Sequence, residues 1–253
     1  MRTEPAHRLS LFRGTVAFSL TEFRVQAHEG IAIFTSMITQ VVLLIFVTIL
    51  ARQYLSVALL GAILFSLFTL GQRVLNEAAY IRVDHKLNQL YLASPLTPGG
   101  YFLGISVGVL LTYLGPILVL VAIAVVLVPL TPILGLELAA VGIAVWLFAS
   151  SMGYVISTTF RDMRAIWSNA SLLFNLFGVL PPVFYPVRLF PLALRPIALL
   201  MPPSAASAIL QNTLSPGTLS SSDLLLAVVG LAVETVVMFV FAVAWARRTA
   251  QER

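Results

Sequence analysis

The sequence predicts an all-α integral membrane protein with six transmembrane helices and both termini in the cytoplasm. Three observations carry that expectation. The 253-residue chain is 59% hydrophobic and only 10% charged, which is more apolar surface than a water-soluble fold of this length can hide. Six stretches provide the roughly 20 apolar residues that a helix needs to cross hydrocarbon: residues 31–51, 56–75, 101–130, 136–160, 166–187 and 224–246. The basic residues between them are unevenly shared. With the N-terminus inside, twelve fall on the inner side (Arg2, Arg8, Arg13, Arg24, Arg73, Arg82, Lys86, Arg161, Arg164, Arg247, Arg248 and Arg253). Three fall on the outer side (Arg52, Arg188 and Arg195). This is the asymmetry of the positive-inside rule. The runs are continuously apolar rather than alternating, so strands are not expected.

The elements follow in chain order. Residues 1–30 carry scattered charges and no uninterrupted apolar stretch with a small-residue cleavage site, so the segment is expected to stay on the mature protein. Within it, residues 8–29 read as an interfacial helix on the inner leaflet. Leu9, Phe12, Val16, Leu20 and Phe23 share one stripe flanked by Arg13 and Arg24, although Leu11, Phe18 and Val25 break the opposite face. After the second span, residues 76–98 form an inner loop. As a helix it would place Tyr80, Val83, Leu87, Leu90 and Tyr91 on one side and Arg82, His85 and Gln89 on the other. Such a helix suits a partner's groove, or is a solvated extension of the second span. Its end at Ser94 to Gly100 reads as a helix stop. The third span contains Pro116 and Pro129 and is expected to kink near the first and end at the second. Between spans five and six, the proline-rich segment 188–215 is too broken to span. It reads as short re-entrant helices dipping into the outer leaflet.

Several chemistries are excluded. A phosphate-binding P-loop needs Gly-Lys followed by Ser or Thr, and the only lysine, Lys86, follows His85. Gly104-Ile105-Ser106-Val107-Gly108 matches a nucleophile elbow by letter. That motif needs a strand–turn–helix and a later histidine, whereas His7, His28 and His85 all precede it. The same residues make a small-xxx-small helix contact. There is no cysteine and no histidine pair at i, i+4, so no metal site is expected. The net charge of +5 is scattered rather than clustered, which argues against a nucleic-acid partner. Glu234 lies near the centre of the sixth span, where an ionisable group is expensive; it is either functional or structural. Gln40 and Asn175 lie at similar depth in spans one and five, lining a polar route or bonding between helices.

The order and spacing of further motifs resemble one family. The inner loop Leu90-Tyr91-Leu92-Ala93-Ser94-Pro95-Leu96-Thr97 leads through Tyr101-Phe102-Leu103-Gly104 into span three. Gly178-Val179-Leu180-Pro181-Pro182-Val183-Phe184-Tyr185-Pro186 closes span five. Leu194-Arg195-Pro196-Ile197 and Met201-Pro202-Pro203-Ser204-Ala205 precede the last span. With the six-span plan and the amphipathic N-terminal helix, this resembles the ABC-2 type transporter permeases, the membrane subunits of ABC exporters. The resemblance covers most of the chain and implies one transmembrane domain over residues 1–253 in the inner cell membrane. It implies pairing with a second permease copy and docking on a separate ABC ATPase that holds ATP and magnesium; this chain would bind neither and would not be an enzyme. It also implies that the N-terminal helix and the loop after span two contact the ATPase. That assigns coupling to Glu77, Tyr80, Arg82, Val83, Asp84, Leu87, Leu90 and Tyr91, and the translocation path or dimer interface to Gln40, Asn175 and Glu234. Two alternatives stand beside it. Glu77-Ala78-Ala79 resembles the Glu-Ala-Ala loop of ABC importer permeases, but those carry a glycine where this chain has Val83, and their loop lies near the C-terminus. An ion-coupled secondary transporter with Glu234 as its ion site would be expected to show internal repeats, and none is evident.

Overall fold

The fold begins from helix-start signals that the sequence writes twice. Thr97-Pro98 and Thr131-Pro132 each open a long helix. Each threonine hydroxyl accepts a backbone N–H, from Gly100 at 3.0 Å and from Leu134 at 3.2 Å, and each proline occupies the first helical turn. The Ser94–Gly100 stretch, expected as a stop, is thus in its second half a start.

A computed structural model describes residues 4–28, 30, 33, 38–83, 96–159 and 163–251, and these residues are mainly helical with no strands. The helices are α1 (Glu4–Ala27), α2 (Ile38–Leu50), α3 (Leu55–Val83), α4 (Pro98–Leu127), α5 (Pro132–Ser157), α6 (Met163–Val179), α7 (Arg195–Leu199), α8 (Pro202–Leu214) and α9 (Ser221–Gln251). Short 3-10 turns lie at Arg52–Tyr54, Val187–Leu189 and Leu192–Leu194. Four described helices are long and apolar enough to cross a membrane: α3 with its preceding turn, α4, α5 and α9. The segments Leu192–Leu199 and Pro202–Leu214, bent at 108°, make a fifth crossing if taken as one. The chain is a multi-pass membrane protein by these helices.

Helix bounds depart from the sequence reading at several places: α3 runs on to Val83, α5 is Pro132–Ser157 and α9 is Ser221–Gln251. The third span starts at Pro98 and runs through Pro116 as one helix to Leu127. The helix expected over 166–187 stops at Val179, because Pro181 and Pro182 supply no N–H donors and disfavour helix before them. Of the first span, the described helix is Ile38–Leu50, and most of 31–37 lies outside the described residues.

The long helices alternate in direction, so the bundle has two ends. One end carries α1, the start of α4 and the ends of α3, α5 and α9. The other carries the starts of α3, α5 and α9, the end of α4 and the proline-rich segment. α3 is the central post, packed against α4, α5, α6 and α8. Its close crossing with α5 is set by glycine. A Cβ added at Gly71 would strike the backbone of Ala149, and one added at Gly153 would strike the backbone of Gly71. Small residues four apart let two backbones touch, which is how helices gain packing where lipid offers no hydrophobic driving force. Phe65, Phe68 and Phe174 fill the space beside this crossing.

α1 packs on α4 by a face other than the predicted stripe. Phe18, Ser19 and Glu22 are buried, whereas Val16 and Leu20 are exposed. One face thus meets the bundle, while Val16 and Leu20 of the apolar stripe are left outside it.

Candidate functional site: a polar seam at the α1 end

The glycines of the Gly104–Gly108 motif are the floor of the seam. They lie inside α4, so the nucleophile-elbow geometry is absent, and they receive α1 from above. The Phe18 ring lies on Gly104 and stacks on Tyr101 at 5.5 Å, while Ser19 and Glu22 lie on Gly108. The small-xxx-small reading holds, with α1 as the partner.

Glu22 is only 4% exposed. Its carboxyl is in hydrogen-bonding contact with that of Glu77, which α3 brings to the seam from its last turns. Two carboxyl groups bond to each other only if one keeps a proton, because neither carboxylate can donate. Burial first, and the facing Glu77 carboxyl second, push Glu22 from its ordinary 4.5 up to about 7; Gln26, one turn on, opposes the shift. The two arginines of α3 make contacts of their own. The Arg73 guanidinium sits 5.1 Å over the Tyr113 ring of α4, and Arg82 donates to the Ser157 carbonyl at the end of α5. The last turns of α9 close the same end: Trp245 donates from Nε1 to Thr158 Oγ1 at 2.8 Å, and Arg248 lies 6.0 Å over the Trp245 ring.

Of the expected coupling residues, Glu77 and Arg82 turn into the bundle and make these contacts. Tyr80 is 40% exposed on the same helix, and Val83 is its last residue. Asp84, Leu87, Leu90 and Tyr91 lie outside the described residues. Among the described residues no contact joins Asn175 to Glu234. Gln40 is on α2, with its side chain outside the described residues. Asn175 is exposed on α6 and donates to Ser171 Oγ of its own helix at 3.2 Å. Glu234 is half-buried on α9, and its Oε2 is buried without a hydrogen-bond partner. The neighbouring Thr235 donates to the Ala144 carbonyl of α5 at 3.3 Å.

Two residues that sequence reasoning missed organise the opposite end. Gln211 of α8 accepts from the Val187 N–H at 2.9 Å and donates to the Tyr185 carbonyl at 3.3 Å and to Ser207 Oγ at 3.0 Å. Ser207 Oγ donates in turn to the Val183 carbonyl at 2.9 Å. Non-helical backbone near membrane depth survives only when its polar groups are satisfied, and this pair does that for 183–187. The i, i+4 spacing of Ser207 and Gln211, which puts both on one face of α8, was the available signal.

Beside this network a cavity of about 500 Å³ is lined by Gln53, Tyr54, Arg188, Gln211 and Thr218. A wholly different groove of about 660 Å³, lined by apolar side chains of α3, α4 and α5 with Trp146 among them, runs along the flank. Among the described residues no three His, Cys, Asp or Glu side chains gather to hold a metal ion. A scan against protein-family models matches none to this chain, and a search of curated proteins finds no relative that matches it.

Proposed function

We propose that this chain is the membrane permease of an ATP-driven ABC exporter of the ABC-2 type. In this reading it has six spans, both termini lie in the cytoplasm, and it works in the inner cell membrane as a pair of copies above two ATPase subunits. One observation carries the reading. A helix outside the bundle, α1, is seated on the start of α4 and tied through Glu22 and Glu77 to the far end of α3, while a 108° helix pair caps the opposite end. A push delivered to α1 or to the segment after α3 therefore reaches the central post directly. The exposed face of α6, with Asn175 among Leu172, Leu176 and Phe177, supports a second copy as its cover, since an amide facing lipid alone is costly.

Co-purification decides the matter. An ATPase encoded beside this chain should purify with it, and the triple substitution Tyr80→Asp, Leu87→Asp, Leu90→Asp should abolish that assembly. Unchanged assembly in the triple variant would sink the coupling assignment.

The buried, unpartnered Oε2 of Glu234 favours a second reading, an ion-coupled transporter that works alone. Glu234→Gln should then abolish ion-driven flux in vesicles lacking ATP. In the exporter reading no such flux exists, and transport requires ATP and the ATPase.

A further inference from the structure

Two hollows of different chemistry meet at the proline-rich end of the bundle. The first is the cavity of about 500 Å³, a volume usual for a small-molecule site. Gln53, Tyr54, Ser56 and Arg188 line it, and among the described residues their side chains make no hydrogen bond or ion pair. All four can donate, and Arg188 is the one charged group among the described lining residues. The acids of this end are committed away from the cavity. Glu137 accepts from Thr213 Oγ1 at 2.5 Å, and Asp223 pairs with Arg195 at 3.8 Å. The backbone carrying Arg188 is fixed on both sides. Gln211 holds the Val187 N–H at 2.9 Å, and the Leu189 N–H closes a turn on the Pro186 carbonyl at 2.9 Å.

The second hollow is the groove of about 660 Å³ between α3, α4 and α5, whose lining is apolar apart from Thr131 and the Trp146 indole. Leu118, Val125 and Ile143 along it are exposed among the described residues. The two hollows share one face of α3: Ser56 lines the cavity, and Ile63 and Leu67, at i+7 and i+11 from it, line the groove. They also share the link from α4 to α5, where Pro129 belongs to the cavity and Leu130 to the groove. From Gly135 to Trp146 the groove follows α5 for about 16 Å at the helical rise. That is about half of a hydrocarbon core roughly 30 Å thick, the depth of one leaflet.

We propose that cavity and groove form one site for an anionic membrane lipid of the adjoining leaflet, its phosphate in the cavity and one acyl chain in the groove. The Arg188 guanidinium offers the forked N–H donors that match phosphate oxygens, and Gln53, Tyr54 and Ser56 add neutral donors around it. A zwitterionic headgroup brings a cation to a cavity with a fixed positive charge and no carboxylate among its described lining residues. A free anion makes no use of the groove, and a wholly apolar ligand leaves the arginine unpaired. An anionic lipid satisfies both halves, and its headgroup bridges the start of α3 to the Val187–Leu189 turn. The site is independent of the exporter reading, since it needs neither an ATPase nor a transported substrate.

Trp146 lies in the groove and serves as the reporter. The full-length protein is placed in nanodiscs of phosphatidylcholine with a minor fraction of phosphatidylglycerol. Bromine, which quenches tryptophan fluorescence, is carried on the acyl chains of the phosphatidylglycerol in one preparation and of an equal amount of phosphatidylcholine in the other. Subtracting the same measurement on Trp146→Phe isolates the groove. Occupancy read this way should favour phosphatidylglycerol about fivefold, the effect of one arginine on an anionic headgroup. Arg188→Gln should bring the ratio close to one. Arg52→Gln, which removes an exposed charge of the same end outside the cavity, should leave it unchanged. Gly135 shares the α5 face of Leu138, Gly142 and Trp146, and a Cβ added there meets nothing within 4 Å. Gly135→Leu therefore fills the groove without a clash and should abolish the preference at Trp146. A parent ratio of one, a preference that survives Arg188→Gln or Gly135→Leu, or an equal loss in Arg52→Gln would each overturn the site. Release of the lipid by soluble glycerol phosphate would assign the cavity to a free anion and overturn it too; no release is expected.

Discussion

The two ends of this bundle use polar side chains for opposite purposes. At the proline-rich end, Gln211 and Ser207 spend their hydrogen bonds on the backbone of 183–187, and neither group titrates. At the α1 end, Glu22 and Glu77 bring two ionisable side chains into one seam. The first arrangement fixes a shape that lipid would otherwise punish. The second places charge-bearing groups where two helices meet. The contrast teaches that one end is built as a static plug and the other as a joint.

The comparison can be broken most severely at the static end. Gln211→Leu leaves the Val187 N–H and the Tyr185 carbonyl without their side-chain partner, and each buried orphan costs about 1–3 kcal/mol. A loss of about 2–6 kcal/mol in detergent unfolding is expected, equal at pH 5 and pH 8 because no titrating group is involved. A pH-dependent loss would show that the two ends are not separate in kind.

Smaller effects sharpen the same contrast. Thr97 and Thr131 are matched caps on α4 and α5, one at each end, and each substitution by alanine should cost about 1 kcal/mol. In hydrogen exchange, the Thr97→Ala loss should also loosen α1, which rests on the first turns of α4. The Thr131→Ala loss should stay confined to the start of α5. Equal spread from both caps would mean that α1 is no more weakly held than the rest.

Much of the fold was legible because composition and period are local properties. Unbroken apolar runs announced α3, α4, α5 and α9, and Thr-Pro pairs mark two of their starts. The end of α6 at Val179 was misjudged because hydropathy continues through Val187, while helix formation stops at the donors that Pro181 and Pro182 remove. The α1 stripe was read correctly as apolar, but its buried face was not foreseen. Phe18, Ser19 and Glu22 look like a flaw in an amphipathic pattern until Gly104 and Gly108 are known to lie beneath them. Glu77 drew notice as part of the inner loop expected after the second span, yet Glu22 is far away in sequence, and no spacing rule links them. The crossing of Gly71 with Gly153 was hidden for the same reason. Asp84, Leu87, Leu90 and Tyr91 lie outside the described residues, so their place at the joint rests on the proposal above.

The central claim is that the static end and the joint face different compartments, with the joint toward the side that holds ATP. Ser215→Cys, exposed just past α8, and Arg247→Cys, exposed near the end of α9, place single thiols at the two ends of the otherwise cysteine-free chain. With a membrane-impermeant maleimide on intact cells, the first should label at once and the second only after the membrane is opened. Labelling of both from outside, or the reverse order, would contradict the account.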